Sequence, residues 1–148
     1  MKLDFINVSF DNFSKEMKEL KEKKHYDYLV TIVGEDFGEE GLGCIYILEC
    51  TANHERTSVK TIAKKVDEDY VIPSVIDIWK AADLLEREVF DFYGIKFLGH
   101  PIMERLFLRN DFKGHPFRKD WQFDDSYSLE DDEESEYANT YSRTHLSH

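Results

Sequence analysis

The chain has 148 residues, 41% of them hydrophobic, and a formal net charge of −12. That is enough apolar material for one domain with a core, and the wrong sign for nucleic acid or an anionic membrane surface as main partner. The excess is uneven: residues 124–148 hold eight acids and one base (−7), while the preceding 123 hold 23 acids and 18 bases (−5).

In chain order, the opening MKLDFINVSFDNF carries acids and lacks the apolar run of a signal peptide. Residues 14–24 (SKEMKELKEKK) predict a short amphipathic helix, with Phe13, Met17 and Leu20 on one face and Ser14 as its N-cap. Residues 26–33 (YDYLVTIV) predict a strand, and the glycine-bounded GEDFGEEG (34–41) a polar loop. A second, central strand is expected over 42–50 (LGCIYILEC), then a turn at 51–54 and a third strand over 55–66 whose end is also compatible with helix. Cys44 and Cys50 are six residues apart on that second strand, roughly 20 Å, which is too far for a disulfide. Two reduced, buried thiols are expected. The longest apolar run, Cys44–Leu48, is far short of a membrane span.

Ser74, following Pro73, predicts a helix start. Ile78, Ala81 or Ala82, Leu85, Val89 and Phe92 then recur with helical period for about five turns, and Gly94 supplies the C-cap. The body is therefore expected to be α+β, a small, mainly antiparallel sheet covered by helices, over residues 1–95. Residues 96–123 read as an extended, aromatic and arginine-bearing arm, and 124–148 as an acidic, disordered tail. Gly-His-Pro occurs twice along the arm, at 99–101 and 114–116. Proline fixes its own φ and restricts the residue before it, so each tripeptide is a rigid bend. An arm held at two such corners has the composition of an interface; the alternative is that most of it folds back on its own sheet.

The acids Glu86, Glu88 and Asp91 cluster on the predicted helix with Arg87. Arg87 and Asp91 are spaced to pair, and Glu88 and Asp91 are neighbours at i,i+3. Acid–base chemistry needs such carboxylate pairs, but no nucleophile accompanies these. A charge network tying the helix end to Arg105, Arg118 or Lys119 is the favoured reading. His100 and His115 lack zinc-site spacing, no glycine pattern matches a phosphate loop, and two cysteines cannot hold an iron–sulfur cluster.

The run Glu86-Arg87-Glu88-x-x-Asp91-x-x-Gly94-Ile95-x-Phe97-x-Gly99-His100-Pro101, followed by Arg105, Asp111 and Gly114-His115-Pro116-x-Arg118-Lys119-Asp120, resembles the signature of the C-type, 30 kDa subunit family of respiratory complex I. Pro73-Ser74-Val75, Ile78-Trp79 and Ala81-Ala82 extend the likeness, which covers most of residues 25–121. The chain departs from the family in Ile102-Met103-Glu104 after the first corner and in Phe117, where leucine is common. The resemblance implies a non-catalytic peripheral-arm subunit of a proton-translocating NADH:quinone oxidoreductase. Such a subunit binds no cofactor itself and scaffolds the large, hydrogenase-like D-type subunit of the quinone site. The complex uses NAD(H) or another donor, iron–sulfur clusters and quinone, and other peripheral-arm subunits are also neighbours. It lies on the cytoplasmic side of the inner membrane. Glu86, Arg87, Glu88, Asp91 and Gly94 are then expected to fix the arm's entry, and His100, Pro101, Arg105, His115, Pro116, Arg118, Lys119 and Asp120 to form its corners and charged contacts. The alternative is the same scaffold role in a membrane-bound [NiFe]-hydrogenase or a ferredoxin-fed relative.

Overall fold

The computed structural model describes residues 5–108 and 111–122. Phe123 and the acidic stretch 124–148 lie outside the described residues. The elements run β1 (Ile6–Asn7), α1 (Phe13–Glu22), β2 (Tyr28–Asp36), β3 (Leu42–Cys50), β4 (Glu55–Ile62), β5 (Lys64–Val66), β6 (Asp69–Pro73), α2 (Ala82–Tyr93) and β7 (Ile95–Leu98). The architecture is α+β. Two mixed sheets, rather than one, carry it: a four-stranded sheet ordered β1-β4-β3-β2 and a three-stranded sheet ordered β5-β6-β7. β2–β3, β3–β4 and β5–β6 are antiparallel, whereas β1–β4 and β6–β7 are parallel.

β3 sets the interior. Its even positions Cys44, Tyr46 and Leu48 are fully buried, while Ile45 and Ile47 are only half-buried, the two-residue period of a sheet with one covered face. Both cysteines are buried free thiols. α1 lays Phe13, Met17 and Leu20 on that face, with the Phe13 and Tyr46 rings 5.2 Å apart. Each such side chain contributes about 2 kcal/mol of apolar burial. α2 buries Ala82 and Val89 in the same core, beside Ile72, Ile95 and Phe97 of the smaller sheet.

Several sequence expectations are corrected. Ser14 is inside α1 and exposed; Asn12 precedes the helix and makes no side-chain cap. β2 runs on to Asp36, through the start of the expected loop. The expected third strand breaks at Ala63, where the chain leaves one sheet for the other. α2 begins at Ala82, eight residues after Ser74, because the Ser74 hydroxyl and Val75 N–H donate to the Glu86 carboxylate rather than starting a helix. Between Ser74 and Ala82 the chain makes tight turns in which Trp79 N–H donates to Val75 O at 2.9 Å. The indole of Trp79 donates to Tyr26 O at 3.1 Å, pinning this connection to the end of α1. β7, pairing with β6, continues the body to Leu98, into the stretch read as the start of the arm.

The capped end of helix α2

The last four carbonyls of an α-helix have no partner within the helix. In α2 these belong to Phe90, Asp91, Phe92 and Tyr93, and each is met by a donor from beyond it. Gly94 N–H donates to Phe90 O at 2.8 Å, with Gly94 in the left-handed region at φ 72°. Asp91 O accepts from His115 Nδ1 at 2.9 Å and from Arg105 Nη1 at 3.4 Å. Phe92 O accepts from Phe117 N–H at 3.0 Å. Tyr93 O accepts from Arg118 Nε at 2.5 Å. Two guanidinium groups thus sit at the negative end of the helix dipole.

Both Gly-His-Pro corners hang on this helix. His100 Nδ1 accepts from Ile102 N–H at 3.0 Å, leaving Nε2 to donate to Asp83, to its carbonyl at 3.1 Å and its carboxylate at 3.0 Å. His115 holds Asp91, eight residues and about 12 Å further along the axis. Gly99 and Gly114 both take positive φ, 91° and 82°, the freedom each bend needs. Pro101 is exposed and Pro116 half-buried. Burial, with Arg105 and Arg118 close by, holds the His115 imidazole below the usual histidine range, although its bond to Asp91 opposes this. A neutral ring donating through Nδ1 follows.

The clustered acids have separate tasks. Glu86 is 0% exposed; its Oε1 accepts from Val75 N–H at 2.8 Å and its Oε2 from the Ser74 hydroxyl at 2.7 Å. Burial pushes this carboxyl up to about 7, against the lowering effect of those two bonds. Asp91, also 0% exposed, accepts from Leu106 and Phe107 N–H groups, both at 2.7 Å to Oδ2, and its Oδ1 lies 3.7 Å from Arg105. Arg105 in turn donates to Gly114 O at 2.8 Å, tying the two corners together. The expected Arg87–Asp91 pair does not form; Arg87 donates to Glu104 O at 3.3 Å. Glu88 and Asp91 are not a working pair either, since Glu88 is exposed and Asp91 is turned onto the backbone N–H groups of Leu106 and Phe107. Lys119 joins through its backbone, donating to Asp36 Oδ2 at 2.9 Å, and Asp120 is exposed. Arg118 also lies over the Tyr70 ring at 5.3 Å.

Outside this cap the aromatic residues form a ladder. Phe92 stacks on Phe117 at 4.3 Å and on Phe107 at 6.1 Å, with Tyr93 edge-on to Phe117 at 5.7 Å. Phe117 is 55% exposed and Phe107 64%. Helical period puts Phe92 on the core-facing stripe and gives no sign of this stack. Nor does any local pattern link the anchors Ser74, Asp36 and Tyr70 to α2 or the arm. Among the described residues no cluster of histidine, cysteine and acids is placed to hold a metal ion, and no helix is long and apolar enough to cross a membrane.

Residues 6–127 match the family described as respiratory-chain NADH dehydrogenase, 30 Kd subunit. A Phocaeicola vulgatus protein, named as a C/D subunit of NADH-quinone oxidoreductase, is 47% identical over 116 residues, covering 78% of this chain and 22% of the relative. The chain spans only 22% to 25% of the length of four relatives so named. Among solved structures, a trypsin-resistant fragment of Nqo5 superposes with TM-score 0.59 at 31% identity, over 65% of this chain and 79% of the fragment. A chain of the membrane-bound sulfane sulfur reductase, an archaeal respiratory membrane complex, superposes with TM-score 0.70 at 26% identity, over 88% and 79%.

Proposed function

The chain belongs to the respiratory-chain NADH dehydrogenase 30 Kd subunit family, and from that premise we propose that it is a non-catalytic, peripheral-arm subunit of a proton-translocating NADH:quinone oxidoreductase. Its task is to scaffold the D-type subunit of the quinone site while electrons pass to quinone. The observation that carries this is the match to relatives named C/D, of which this chain accounts for about a quarter. In those proteins a C-type region shares one polypeptide with a much longer D-type region, and tethering favours partners that touch.

The geometry supports a scaffold over a catalyst. Glu86 and Asp91 are spent on backbone N–H groups, and His115 on a carbonyl. Those buried carboxylates are taken by the chain's own backbone, while Phe107 and Phe117 are presented outward. On this reading the chain binds no cofactor. NAD(H) or another donor, iron–sulfur clusters and quinone belong to its neighbours, on the cytoplasmic side of the inner membrane. Other peripheral-arm subunits complete its surroundings.

Co-expression with the D-type subunit from the same source, followed by size-exclusion chromatography, tests the reading. Co-elution is expected, and a folded chain that ignores this partner refutes it. The likeness to a sulfane sulfur reductase chain favours a second reading, the same scaffold role in a hydrogenase-like or ferredoxin-fed complex. Loss of NADH:quinone activity from membranes lacking the chain decides for the first; retained NADH activity with loss of ferredoxin-driven reduction decides for the second.

A further inference from the structure

Four charged residues lie between Glu86 and Asp91 inclusive, and three bind backbone groups elsewhere in the chain. Glu88 is the exception: it is exposed, and among the described residues no hydrogen bond or ion pair engages its carboxylate. It lines a shallow hollow with Thr31 and Val33 of β2, Phe92 and Tyr93 of α2, and Phe117. Val33 is 41% exposed, and among the described residues no basic side chain lines the hollow. β2 is the terminal strand of its sheet, so the hollow opens at the sheet's edge. The surroundings are acidic: burial, then Glu35, Cys44 and Asp36, push the Tyr93 phenol up.

An unpaired carboxylate beside the exposed Phe117 ring and the half-buried Phe92 ring suits one kind of visitor. A guanidinium pairs with a carboxylate in a planar fork and also stacks on aromatic faces, and its methylene stem covers apolar surface. We infer that this hollow receives an arginine-bearing segment of the D-type partner, the guanidinium meeting Glu88 and the stem lying on Phe117 and Val33. The inference rests on the scaffold reading above. The chain's own residues 124–148 are a poor occupant, because their charge of −7 repels Glu88.

Affinity of the full chain for the D-type partner, measured across salt concentrations, tests this. Wild type is expected to weaken as salt rises. Glu88→Gln should bind about tenfold more weakly with a flatter salt dependence, and Glu88→Arg about a hundredfold more weakly. Phe117→Ala should lose affinity and keep its salt dependence. Glu55→Arg, an equal charge change on the exposed β3–β4 hairpin, should bind as wild type does. Thermal melts of the Glu88 variants should match wild type, since the side chain is exposed and holds nothing in place. Wild-type binding with unchanged affinity and salt slope in both Glu88 variants overturns the inference and leaves the scaffold reading standing. So does a Glu88→Arg effect confined to self-association. No binding by wild type removes both.

Discussion

Glu86 and Asp91, five residues apart on α2, are both fully buried, and each turns its carboxylate onto the backbone of a segment outside the helix. Glu86 holds Val75, just after β6, and Asp91 holds Leu106 and Phe107. One helix thereby fixes both the entry from the sheet and the path of the arm.

Replacing Asp91 should therefore loosen the arm. Asp91→Ala leaves the Leu106 and Phe107 N–H groups without their acceptor and removes the counter-charge of Arg105. The expected cost is about 3 kcal/mol in urea unfolding. Proteolytic cleavage between Arg105 and Arg118 should rise by more than the global loss explains.

Glu86 gives a pH dependence whose sign is fixed. Its folded carboxyl is raised to about 7 from an unfolded value of 4.5, so between those values the native state holds a proton the unfolded state has lost. Its contribution to stability is therefore full below pH 4.5, falls as pH rises to 7, and levels off above. The span is about 3 kcal/mol at most. Glutamine can accept from Val75 N–H and donate to the Ser74 hydroxyl without titrating. The stability of Glu86→Gln minus that of wild type, by urea unfolding, should grow from pH 5 to pH 7.5. A flat difference would show that the buried carboxyl does not titrate there.

His115 should behave with the opposite sign. Its folded value lies below 6.5, so its contribution is present above pH 6.5 and is lost as pH falls through the folded value. Its ring protons, followed by NMR, should titrate at lower pH than those of a histidine in an unfolded peptide. A midpoint at or above 6.5 would mean that the ring is not buried against Asp91.

Gly94 is irreplaceable on two counts. At φ 72° any side chain costs roughly 1 kcal/mol. A Cβ there would also stand 2.5 Å from Arg118 Nη2 and from His115 Cδ2. Gly94→Ala should lose about 2 kcal/mol or more in urea unfolding and displace both caps. A loss below about 0.5 kcal/mol would contradict the cap.

Much of this was legible in the chain. β3 was readable to the residue because a near-continuous apolar run between glycine and a polar turn has one interpretation. Gly94 was readable as a C-cap because it follows the last periodic position of α2. The start of α2 was not, because Ser74 after Pro73 has the local pattern of an N-cap, whereas its hydroxyl donates to Glu86 twelve residues on and the chain turns until Ala82. The charge cluster on the predicted helix brought Glu86 and Asp91 into view together, while their partners lie outside it, Glu86's just before α2 and Asp91's where the chain returns after Pro101. The Phe92 ladder was hidden for the same reason: helical period places a residue on a face and says nothing of what crosses that face later.

On the scaffold reading, the capped end of α2 and its aromatic ladder face the D-type partner. Hydrogen–deuterium exchange of the chain, alone and with that partner, tests it most directly. Slower exchange in the complex is predicted at residues 31–34 and 105–118, with α1 and the β3–β4 turn unchanged. Protection confined to α1 or that turn, with none at those two segments, would contradict it.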